Sequence, residues 1–209
     1  MKLIIDGETI SDDLAGIASA IDMARDKAGE LGRLIIEINA DGRPAGELLD
    51  TLPEDSAGVN ELGIVTADKG AFLRETLHNG LEALDLTNIH QAEAATLLDQ
   101  GKVHEALASL QPVVEGWQTV RTIASQGAML MGVELQTLSI NGTSAGDIIA
   151  GLAEDLVALR DAVSNEDWSA LGDVLGYDLK ERTAIWQSFL QTLIDLTSDS
   201  DTPEGNDHA

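Results

Sequence analysis

The chain contains no cysteine. That excludes disulfide frameworks, zinc–thiolate sites and thiol nucleophiles. A reducing compartment, the cytoplasm, is the expected location. Aromatic side chains are few: three Trp, two Phe and one Tyr among 209 residues. Cations are few as well, with 12 Lys and Arg against 37 Asp and Glu, a formal net charge of −25. This balance opposes contacts to phosphate, so neither nucleic acid nor an anionic membrane surface is an expected partner. It suits a more basic protein. No apolar run approaches the ~18 residues that a membrane span requires. The opening "MKLIIDGETISDD" lacks the form of a secretory signal.

Hydrophobic residues nevertheless make up 44% of the chain. A chain of this length buries about 70% of the surface its unfolded form exposes. A conventional core is therefore expected, without staples.

Strand signals are confined to the first 68 residues. "KLIID" is short and apolar, "RLIIEIN" (33–39) is longer, and "ELGIVTAD" (61–68) is the third. An amphipathic helix is expected between the first two, with Leu14, Ile17, Ala18, Ile21, Ala24, Ala28 and Leu31 at helical spacing and Gly29 and Gly32 at its end. Strand, helix and strand together predict a crossover with parallel pairing. "TLPEDSAGVN" (51–60) reads as a loop.

After Asp68 the pattern is helical almost throughout. Leu73, Leu77, Leu81 and Leu84 share one face, and Gly101 ends that run. Pro112 must start a new helix or kink a continuous one. Later helices carry Ile148, Leu152, Leu156 and Leu159, then Leu179, Trp186, Phe189, Leu190 and Leu193, with a turn at "SNED" (164–167). Two αα-hairpins are expected, one around Gly101 and one around "SNED". "AEAATLLDQGKVHEALASL" (92–110) resembles a tetratricopeptide hairpin through Gly101 followed by Glu105-Ala106. No 34-residue period repeats, so a stacked peptide-binding groove is not implied. The expected fold is α+β: a small α/β unit at 1–68 with about three strands and a crossover helix, helical hairpins at 69–196, and a disordered acidic tail at 197–209.

One motif recurs: "IIDGETISDDL" (4–14), "NADGRPAGELL" (39–49) and "SINGTSAGDII" (139–149). Asp-Gly and Asn-Gly are tight-turn dipeptides. Ser11, Gly46 or Gly146 stands where a helix N-cap would, and Asp12, Glu47 or Asp147 follows where a helix dipole favours an acid. The reading taken is strand, turn, capped helix, with no ligand. The alternative is chemical. Asp6, Asp41 and Asp68 each follow a predicted strand, and if those strand ends converge, three carboxylates could hold Mg²⁺ or Ca²⁺ in a metal-dependent enzyme. No phosphate loop or nucleophile motif accompanies them. His78, His90, His104 and His208 read as surface residues.

The functional expectation is a non-enzymatic acidic interaction module, an adaptor or chaperone-like protein, with no cofactor. Trp117, Trp168 and Trp186 are expected in the core. The stripe Trp186, Phe189, Leu190, Leu193, Ile194 and Leu196 is broad enough to predict a homodimer through the helical half.

Overall fold

The computed structural model describes residues 1–49 and 58–199. Most of the predicted loop at 51–60 and most of the predicted tail lie outside them. The chain divides into two compact units, Met1–Phe72 and Leu73–Ala209. The division falls four residues beyond the expected boundary, because the first turn of α2 stays with the sheet: Lys69 N–H donates to Gly32 O at 3.1 Å.

Among its described residues, the first unit is a five-stranded mixed sheet with one α-helix. Its elements are β1 (Lys2–Ile5), β2 (Glu8–Ser11), α1 (Ile17–Glu30), β3 (Arg33–Ala40), β4 (Arg43–Pro44) and β5 (Glu61–Asp68). The strand order is β2-β1-β5-β3-β4. Every expected strand forms, and two short edge strands join them. β5 inserts between β1 and β3, pairing parallel to β1 and antiparallel to β3. The expected parallel pairing of β1 with β3 is therefore corrected. α1 does cross over between two parallel strands of one sheet, but they are β2 and β3, because the Asp6-Gly7 turn reverses the chain before the helix begins.

Alternation along β5 points Leu62, Ile64 and Thr66 to one face. There they meet Leu3, Ile5 and Ile38, and α1 covers them with Ile17, Ala20, Ile21 and Ala24. These α1 positions keep helical spacing, so one stripe is buried and Asp22, Arg25 and Asp26 remain outside.

The second unit is helical: α2 (Lys69–Asp99, entering from the first unit), α3 (Val103–Ala108), α4 (Leu110–Met131), α5 (Ala145–Ser164), α6 (Trp168–Asp173) and α7 (Leu179–Asp199). A two-stranded hairpin, β6 (Ser139–Ile140) and β7 (Thr143–Ser144), precedes α5. Pro112 lies in the first turn of α4, where its missing N–H leaves no bond unmade. The last helix runs to Asp199 with Thr197 buried, so helix replaces the predicted tail as far as that residue. Both expected hairpins form, α2 with α3–α4 and α5 with α6–α7. α2 and α4 approach closely where Gly116 faces Thr87 and Gly127 faces Leu77. Among the described residues no helix is long and apolar enough to cross a membrane.

The stripe that motivated a homodimer is consumed inside this unit. Trp186, Phe189, Leu190 and Leu193 are fully buried, and Ile194 is nearly so, against α2, α4 and α5. Among the described residues, six helices of one unit therefore cover these five side chains.

Candidate functional site

The repeated motif is one corner used three times. Asp6-Gly7, Asp41-Gly42 and Asn141-Gly142 all hold positive φ, from 47° to 88°. Two successive residues in that region make the type I′ turn, whose twist matches the flanking strands. Each turn therefore returns the chain as a strand, and the expected capped helix comes later or not at all. Ser11 ends β2 and caps nothing helical, since α1 begins at Ile17. Gly46 opens a short 3-10 turn, Gly46–Leu49. Only the third copy leads directly into a helix, and its cap is Ser144 rather than Gly146, with Ser144 Oγ accepting from Asp147 N–H at 3.0 Å.

The three aspartates are each occupied, and they do not converge. Asp6 accepts the Thr66 amide at 2.7 Å and the Thr66 hydroxyl at 2.6 Å, with the Arg33 guanidinium at 3.5 Å. The two Thr66 hydrogen bonds hold this carboxyl below its ordinary value; desolvation opposes them, and the Arg33 charge adds the smallest contribution in the lowering direction. Asp41 accepts from the amides of Asn60 and Glu61, at 3.0 and 2.9 Å, at the start of β5. Asp68 ends β5 and accepts from Ala71 N–H at 2.7 Å, capping α2. Because β3 and β5 are antiparallel, Asp41 and Asp68 lie at opposite ends of an eight-residue strand, on the order of 20 Å apart. The convergence that a shared metal required is thus corrected. Among the described residues no group of three His, Asp or Glu side chains is arranged to hold a metal ion.

Trp117 and Trp186 are fully buried and meet edge to face, with ring centroids 5.9 Å apart. Phe189 stacks on Trp186 at 5.4 Å. Trp168 is only half-buried. It lines an open groove of about 530 Å³ with Leu98, Asp99, Asp173, Tyr177 and Lys180.

Gly176 and Tyr177 of the lining belong to a π-helical turn, Val174–Asp178, set between α6 and α7. The wider turn carries one extra residue, and such insertions are frequent at functional sites. Gly176 in this turn faces Ala95 of α2, Gly172 faces open space, and both line the groove. Tyr177 stands on the rim with 73% of its surface exposed. A sequence signal for the turn exists. Leu171, Leu175, Leu179 and Thr183 are all buried at steps of four. An unbroken α-helix would carry that series about 120° around its axis, and the inserted residue restores the phase.

A family model described as a domain of unknown function (DUF8042) matches residues 75–189, more than half of the chain. No curated protein and no solved structure matches.

Proposed function

We propose that this chain, which belongs to the family described as a domain of unknown function (DUF8042), is a non-enzymatic protein-interaction module, an adaptor or chaperone-like protein whose acidic helical unit takes a more basic partner. The observation that carries this reading is the placement of charge. Residues 73–198 hold eighteen carboxylates against six Lys and Arg. Every one of those carboxylates is exposed except Asp155. Asp155 is half-buried and paired with Arg182 at 2.6 Å.

A catalytic centre gathers its ionisable groups into a cleft and shifts their proton affinities. This unit instead keeps its acids in water, spread over its helices. Such a surface attracts and orients an oppositely charged partner over distances near the Debye length, ~8 Å at physiological salt.

Capture from the native cell tests the reading. The full chain is immobilised and washed at about 0.15 M and then 0.5 M NaCl, concentrations at which screening shortens from ~8 Å towards a few ångströms. The expected result is one stoichiometric partner of net positive charge, released by the salt step. Absence of any retained protein, or retention indifferent to salt, overturns it.

A further inference from the structure

We infer that the groove beside the π turn takes an arginine or lysine side chain from an amphipathic segment of a basic partner protein, held between the rings of Trp168 and Tyr177 and the carboxylates of Asp99 and Asp173. This rests on the interaction reading and gives it a location. Asp99 comes from the C-terminal end of α2 and Asp173 from the end of α6, so the two acids approach the groove from different elements. Asp99 is the last residue of α2, where the helix presents the negative end of its dipole and favours a cation.

Trp168 and Tyr177 both line this groove, and aromatic rings attract ammonium and guanidinium groups. Ala95 and Leu98 supply apolar surface for the aliphatic stem of a long cationic side chain and for an apolar neighbour. Among the described residues of the lining, Lys180 is the one cation, against two carboxylates. An entering anion would therefore meet the less favourable balance. The volume, about 530 Å³, lies within the ~300–1,000 Å³ of ordinary recognition pockets.

The large exposure of Tyr177 is itself informative. A rigid aromatic ring left in water gains most when a partner covers it, and Tyr is enriched where interfaces concentrate their energy.

The test is a titration of the full chain with a fluorescein-labelled amphipathic Arg/Leu peptide, followed by anisotropy at low salt, with the Glu/Leu peptide as control. Three variants are compared: Asp99→Asn/Asp173→Asn, Tyr177→Ser, and Glu115→Gln/Glu154→Gln. The last pair removes the same charge from exposed positions outside the groove. Unchanged far-UV circular dichroism shows that each variant folds. The expected result is binding of the Arg/Leu peptide alone, weakened about tenfold, or about 1.4 kcal/mol, by either groove variant and unaltered by the outside pair. Equal weakening by both charge pairs overturns the groove and leaves the interaction reading standing. No binding of the Arg/Leu peptide at low salt overturns both.

Discussion

Trp117 of α4 donates its indole N–H to Gln91 Oε1 of α2 at 2.5 Å, inside the helical unit. Gln91 Nε2 in turn donates to Thr183 Oγ1 of α7 at 3.4 Å. One amide thus links three helices through buried groups. Gln91→Leu keeps the volume but leaves the Trp117 donor without a partner, a loss of about 1–3 kcal/mol. Urea denaturation followed by tryptophan fluorescence measures it. The double variant Gln91→Leu/Trp117→Phe removes both polar partners and should recover part of the loss. The indole N–H of Trp186 is buried and already lacks a hydrogen-bond partner, so an orphaned Trp117 would be a second among the described residues of this core.

The approach of α2 to α4 yields a steric prediction. A Cβ at Gly116 would overlap the Thr87 hydroxyl, and Thr87 is almost fully buried. Gly116→Ala should destabilise by about 1–3 kcal/mol through overpacking, offset by up to ~1 kcal/mol of helix propensity. Thr87→Ala should relieve the overlap. A double-mutant cycle is therefore expected to show positive coupling, and additive effects would contradict the close contact.

Phe189 distinguishes core from subunit interface. It is fully buried within the helical unit, so Phe189→Ala should cost about 3–5 kcal/mol. The melting temperature of the variant should not change with protein concentration. A concentration-dependent Tm would return the C-terminal stripe to an intersubunit role.

Asp6 and Thr66 make a pH prediction. Hydrogen bonds from Thr66 are the largest cause of the lowered Asp6 proton affinity. Thr66→Val removes the hydroxyl and should raise the Asp6 midpoint towards the ordinary value, about 3.9, read by NMR of the side-chain carboxyl. The sign follows from linkage. A depressed carboxylate pKa contributes stability that is present above the unfolded-state value and is lost as pH falls through the folded-state value. The stability gap between the natural chain and Thr66→Val should accordingly narrow below about pH 4.

Much of the architecture was legible because periodicity carries it. The stripe Ile17, Ile21, Ala24 and Ala28 and the alternation of Leu62 and Ile64 each announce a buried face, whereas Ala18 and Leu31, read into the same stripe, are exposed. β2 was not legible, because three of the four residues in "ETIS" are polar and Ser11 reads equally well as a helix cap; the Asp6-Gly7 turn decides the matter by twisting the chain back along β1. The insertion of β5 between β1 and β3 is a long-range choice that no local pattern reports, and with it went the supposed meeting of Asp41 with Asp6 and Asp68. The groove was hidden for a similar reason. Asp99 and Asp173 are far apart in sequence and line one groove only when the second hairpin packs beside α2.

The central claim is that exposed carboxylates of the helical unit face a basic partner. Zero-length carbodiimide cross-linking in the native cell tests it most directly, since the reagent joins a carboxylate to a lysine amine only in contact. Mass spectrometry should find links from residues 73–198, Asp99 and Asp173 among them, to lysines of one protein of net positive charge. Links confined to the chain itself, together with Mg²⁺ or Mn²⁺ binding that is lost in Asp41→Asn, would contradict the account.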